Sequence, residues 1–200
     1  MVAHAKGNDF RELTRFGRRN SLGLYYGMLT QYLGYQMTND EYKVMGLSSY
    51  GTPRYLEEFA RVLRPAGISY ELDEALDKRQ QDAEIFTSDF STRQERIFTA
   101  KLEDLLGPRR VRGQPLDQRF TDIAASGQKQ LELVATNVVR TAIEATGCAD
   151  VCLAGGVALN CKMNMEIAAE PSVGRLYVPP VPHDAGVALG AAMLTNRSLI

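Results

Sequence analysis

The last fifty residues limit most strongly what this chain can fold into. Val151-Cys152-Leu153-Ala154 is a short apolar run of the kind that suits a parallel strand buried on both faces, and Gly155-Gly156 ends it just before a helical stretch. Arg175-Leu176-Tyr177-Val178 repeats the strand signal, Pro179-Pro180 stops it, and residues 184–194 make a final helix of small residues. Strand, helix, strand, helix at this spacing implies a parallel sheet with right-handed crossovers, so the chain reads as α/β.

Helical periodicity dominates upstream. Residues 121–146 place Ile123, Gly127, Leu131, Val134, Val138 and Ala142 at steps of three and four, which predicts one long helix with a buried face. Leu22, Tyr25, Tyr26, Leu29 and Leu33 give a second helix within residues 21–35. Thr38-Asn39-Asp40-Glu41 has the form of a capping box, so a short helix through Met45 should follow. Gly51-Thr52-Pro53 interrupts, and Tyr55, Leu56, Phe59 and Leu63 form the stripe of the next helix. Short strands are expected near residues 68–72 and 84–87, and an amphipathic run over 97–106 closes at Gly107-Pro108. The arginine-rich stretch 109–115 reads as a solvated loop, with phosphate contact as its functional alternative. Residues 1–20, basic and poor in apolar anchors, read as a frayed lead-in, which leaves residues 21–200 as the folded unit.

Composition excludes several classes. With 23 Lys+Arg against 24 Asp+Glu the net charge is −1, so nothing electrostatic favours a nucleic-acid partner or an anionic membrane surface. The apolar runs fall short of a bilayer span and the first residues lack a signal peptide's apolar core, so the expected location is cytoplasmic. Cys148, Cys152 and Cys161 are an odd number without a histidine cluster, which favours free thiols over zinc or disulfide. No Ser-His-Asp set and no Walker-type lysine loop is present.

Four places could carry chemistry. Gly155-Gly156 sits at a strand's C-terminal end, where open α/β sheets bind ligands, and Asn160 adds an amide that both donates and accepts. Asp184 opens the last helix, either as its N-cap or as a carboxylate for a hard metal. Lys43 could hold an anion as a point charge beside the Ser48-Ser49-Tyr50-Gly51 turn, or lie on a solvated helix face. His183, next to Asp184, is read as structural or exposed.

Three strings together resemble one family. Glu41-Tyr42-Lys43-Val44-Met45-Gly46-Leu47 with Tyr50-Gly51, then residues 153–161 (Leu-Ala-Gly-Gly-Val-Ala-Leu-Asn-Cys), then residues 184–192 (Asp-Ala-Gly-Val-Ala-Leu-Gly-Ala-Ala), are similar in order and spacing to the O-carbamoyltransferases of the NodU/CmcH type. The resemblance implies an actin-like ATPase (ribonuclease H-like) lobe of short parallel strands and several long helices. It also implies the chemistry: carbamoyl phosphate and ATP give a carbamoyl-adenylate in a YrdC-like domain, and the actin-like domain passes the carbamoyl group to a hydroxyl of a small-molecule or glycan acceptor. On that pattern Gly155, Gly156 and Asn160 hold adenosine, Asp184 binds a divalent metal, iron or magnesium, and Lys43 lies near the phosphate or carbamoyl group.

The family's first phosphate loop and its histidine pair have no counterpart in residues 1–20, and the YrdC-like domain would follow Ile200. The expectation is therefore the C-terminal lobe of the actin-like domain, incomplete for catalysis by itself. Asn164-Met165 stands where many relatives have Asn-Gly, and His183 where a small residue is common. The alternatives are a non-catalytic nucleotide-binding remnant and an actin-like sugar kinase.

Overall fold

The computed structural model describes residues 1–17, 20–73 and 97–198, so the strand expected at 84–87 lies outside the described residues. The long helix predicted from periodicity organises them. We number it α5 (Gln118–Thr146); Asp117 caps it by accepting from the Phe120 N–H at 3.1 Å, and Gly147 ends it in the left-handed region at φ 68°. Its Phe120, Ile123, Leu131 and Val134 are buried in one core with Tyr25 and Leu29 of α1 (Leu22–Tyr32). At Gly127 the missing Cβ is what admits Leu29, because a Cβ there would lie 2.5 Å from Leu29 Cδ2.

The remaining helical pieces wrap the same helix. After α2 (Glu41–Leu47) come a 3-10 turn (Ser48–Tyr50) and α3 (Leu56–Val62), each packed on α5. The capping box is half realised: Glu41 accepts from the Thr38 N–H at 2.6 Å, but α2 starts at Glu41 with Asp40 as its cap residue. Gly51 lies so close to α5 that a Cβ would meet the Thr121 carbonyl oxygen at 2.1 Å. An antiparallel hairpin follows, β3 (Leu63–Ala66) with β4 (Ser69–Leu72), and then α4 (Ala100–Leu106). In the arginine-rich loop Arg110 is neither solvated nor free for phosphate. It is 9% exposed, donates to the Leu33 and Gln114 carbonyls at 3.0 and 2.9 Å, and lies over the Tyr35 ring.

The predicted parallel unit is present. β5 (Asp150–Cys152) pairs in parallel with β6 (Arg175–Tyr177), joined through a 3-10 turn (Gly156–Leu159) and α6 (Cys161–Ala169), and α7 (Gly186–Ser198) follows. The strand is not buried on both faces. Val151 packs inward, whereas Cys152 and Asp150 are exposed, and Asp150 is ion-paired with Arg175 on the paired strand. Residues 2–14 also correct the sequence reading: β1 (Val2–Lys6) pairs antiparallel with β2 (Asp9–Thr14). The missed signal is Gly7-Asn8, a two-residue turn with Gly7 at φ 62°. The architecture is thus mixed α/β, with three two-stranded sheets among the described residues. No described helix is long and apolar enough to cross a membrane.

Candidate functional site

The first two of the three strings meet at one cavity of about 460 Å3. Tyr42 and Met45 of α2 line it with Glu41. Gly156, Val157, Leu159 and Asn160 enter from the segment after β5, and Ser21, Gly23 and Tyr26 from the start of α1. The size lies within the roughly 300–1,000 Å3 range of small-molecule pockets. Its lining is largely apolar with an aromatic ring from Tyr42, 64% exposed, which suits a flat ring system. Nothing lies within 4 Å of where a Gly156 Cβ would stand, so that position is open toward a ligand.

Asn160 forms the floor. It is 7% exposed, and its Oδ1 accepts from the Met163 N–H at 3.0 Å, which caps α6. It exchanges two bonds with Gln128 of α5, accepting from Nε2 at 3.0 Å and donating to Oε1 at 2.9 Å. It also hydrogen-bonds the Tyr26 phenol, whose own hydroxyl donates to Gln128 Oε1 at 2.7 Å. Burial is the main cause that pushes the Tyr26 hydroxyl well above its ordinary range, so it stays a neutral donor. Asn160's amide is thus spent inside the protein, and what it offers a ligand is shape. Gln128 and Tyr26 escaped the sequence reading. Gln128 is polar beside a buried stripe, and Tyr26 was read only as part of an apolar helix face.

The other candidates lie elsewhere. Gly155, at φ 99°, donates its N–H to the Pro182 carbonyl at 2.6 Å and lines an adjoining, wider cleft of about 1590 Å3 that shares Ser21 and Val157 with the cavity. Lys43 is ion-paired with Asp40 at 2.7 Å and does not line the cavity. That hydrogen bond holds the Lys43 ammonium above its ordinary pKa and, with the Gln36 N–H, the Asp40 carboxyl below its own. Asp184 is exposed just before α7, its backbone carbonyl accepting from the Val187 N–H at 3.1 Å. Among the described residues no group of three or more His, Cys, Asp or Glu could hold a metal ion. His183 is exposed as well, and the described cysteines are free thiols.

Comparison with known proteins agrees with the strings. A family model described as carbamoyltransferase N-terminus matches residues 2–193. The nodulation protein NolO of Bradyrhizobium diazoefficiens is 38% identical over the whole chain, which covers 32% of that protein. The nodulation protein NolNO of Sinorhizobium fredii is 34% identical, again over the whole chain and 26% of its own length. An uncharacterised Synechocystis protein is 38% identical over 87% of the chain and 27% of its length. The chain therefore spans a third or less of these relatives.

Proposed function

The chain belongs to the carbamoyltransferase N-terminus family, and from that premise we propose that it is the adenosine-nucleotide-binding part of an O-carbamoyltransferase with an actin-like fold. The observation that carries this reading is the meeting of the α2 string with Gly156, Val157, Leu159 and Asn160 of the 153–161 string at one cavity. Gly156 lets the nucleotide approach the backbone, the Tyr42 ring and Met45 cover its flat base, and Asn160 fixes the floor beneath it.

In the reaction proposed for the whole enzyme, water splits the P–O bond of carbamoyl phosphate to release phosphate and carbamate, and a carbamate oxygen bonds to the α-phosphorus of ATP as pyrophosphate leaves, giving the carbamoyl-adenylate. The acceptor hydroxyl oxygen then bonds to the carbamoyl carbon as the bond from that carbon to the adenylate oxygen breaks. AMP leaves with the electron pair, and the hydroxyl proton passes to a base. A lobe that grips adenosine serves such a step by holding the leaving group still, which fixes the direction of attack. Asp184 enters this reading as one carboxylate of a metal site, and the described residues hold no cluster of three or more His, Cys, Asp or Glu that would complete it.

Thermal unfolding with and without millimolar ATP tests the reading, since a ligand bound only by the folded state raises the transition temperature. Gly156→Leu is the informative variant, because the position is open and its φ is not in the left-handed region. The wild type should be raised by ATP, and Gly156→Leu should unfold at the same temperature without nucleotide and lose most of the ATP shift. An equal shift in both proteins would place any bound nucleotide outside this cavity.

A further inference from the structure

Glu41 has the only charged side chain among the described residues that line the cavity. A carboxylate set in a largely apolar wall repels phosphate and accepts from donors, so it decides which part of a nucleotide can face it. The side chain is half-buried, and its Oε1 accepts from the Thr38 N–H at 2.6 Å. Among the described residues it has no other hydrogen bond and no ion pair, which leaves Oε2 and one lone pair of Oε1 open. Its charge is felt inside the cavity: burial is the main cause that raises the Tyr26 hydroxyl, and the Glu132 and Glu41 carboxylates add to it.

The turn that this carboxylate holds is strained. Thr38 also lines the cavity, and it is the only described residue other than glycine with a positive φ, 69°. A β-branched residue avoids that region, and such strain persists where surrounding contacts impose it, as they do at ligand clamps. Thr38 and Asn39 are both exposed, so together with Glu41 they form a polar rim on the cavity. Of the three parts of an adenosine nucleotide, charge turns the phosphates away from this rim, and the base finds its apolar partners in Tyr42 and Met45. The ribose remains. Its two adjacent hydroxyls are donors that the two oxygens of one carboxylate can accept from, and hydrogen bonds to an ionised acceptor are the stronger kind.

We propose that Glu41 binds the ribose of the nucleotide. Its carboxylate accepts from the 2′- and 3′-hydroxyls, and the strained turn at Thr38 holds it in the orientation that reaches them. This rests on the nucleotide reading above and adds to it the residue that separates ribonucleotides from deoxynucleotides.

The test is calorimetric titration of the full chain with ATP, 2′-deoxy-ATP, 3′-deoxy-ATP and purine riboside triphosphate, which lacks the base amine. Wild type should bind each deoxy analogue about tenfold more weakly than ATP, the scale of one lost hydrogen bond to a charged group. Glu41→Gln keeps the length and an acceptor for the Thr38 N–H. It should bind ATP about as weakly as wild type binds the deoxy analogues, and lose most of the distinction between them. Glu41→Asp, which keeps the charge on a shorter stem, should show a smaller distinction than wild type, and it carries the test if Glu41→Gln does not fold. Equal binding of ATP and both deoxy analogues by the wild type overturns the proposal, as does discrimination that survives Glu41→Gln or is undiminished in Glu41→Asp. A fall shared equally by ATP and every analogue overturns it too, because that is what a carboxylate merely holding the Thr38 turn would give. Discrimination that Glu41→Gln abolishes only for purine riboside triphosphate would put the base amine on the carboxylate, and overturns it as well. Failure of the wild type to bind ATP at all removes the nucleotide reading and this proposal with it, an outcome distinct from the others.

Discussion

One amide joins three elements at Asn160. Its oxygen caps α6, its exchange with Gln128 ties that cap to α5, and its contact with Tyr26 reaches α1. Asn160→Ala loses the cap and leaves Gln128 buried without its partner, so it should cost about 3 kcal/mol in chemical denaturation. Asn160→Ser restores a capping hydroxyl and should recover about 1 kcal/mol of this, while the Gln128 bonds stay lost. A serine variant as stable as wild type would show that the Gln128 exchange contributes nothing. The string containing Asn160 was legible in the sequence, and so was its capacity to donate and accept. Where those bonds go was not, because Gln128 lies 32 residues away and only the packing of α5 against α6 brings them together. Lys43 shows the same limit in reverse: its charge was legible, but not that its partner Asp40, one turn back, neutralises it.

At the scale of elements, the join between α5 and the loop after the 3-10 turn depends on Asp122. The carboxylate is 3% exposed and accepts from the Thr52 N–H and from Gln118 Nε2, both at 2.8 Å, with Arg54 at 3.4 Å. Burial alone would raise its pKa, yet these donors outweigh it and hold the carboxyl below its ordinary value. A depressed folded pKa means stability that is present above the unfolded value, about 4, and lost as pH falls through the folded one. Asp122→Asn should therefore be less stable than wild type by about 2 kcal/mol at pH 7, and the gap should close below pH 4. A gap independent of pH would assign the loss to shape instead of charge. Elements with a clean apolar period, α1, α5 and the β5-to-β6 unit, were legible because burial itself writes that period. Asp122, Ser126, Gln128, Gln130 and Glu132 are buried beside the same stripe, and as polar residues they read as solvent-facing until the loops that bond them are placed. The β1–β2 hairpin was missed because its strands bury little, so the turn at Gly7-Asn8 was the only signal.

Over the whole molecule, apolar surface is unevenly covered. The core gathers on α5, while α7 carries Val187 at 72%, Leu189 at 49% and Met193 at 65% exposure. A helix with this composition on the outside has no described element shielding it, and apolar surface of this kind drives association in water. Leu189 and Met193 are one turn apart and share a face, so two charges there should break a continuous contact. Sedimentation velocity on the 200-residue chain should show association that grows with concentration, and Leu189→Lys with Met193→Lys should return it to monomer. Because both side chains are largely in solvent, the double variant should keep the unfolding temperature of the monomer and, on the reading above, its ATP shift. Association unchanged by the two lysines would mean that another surface carries it, with the β1–β2 hairpin's exposed Phe10 the next to test. A lower unfolding temperature would mean that α7 contributes to the fold through contacts its exposure conceals.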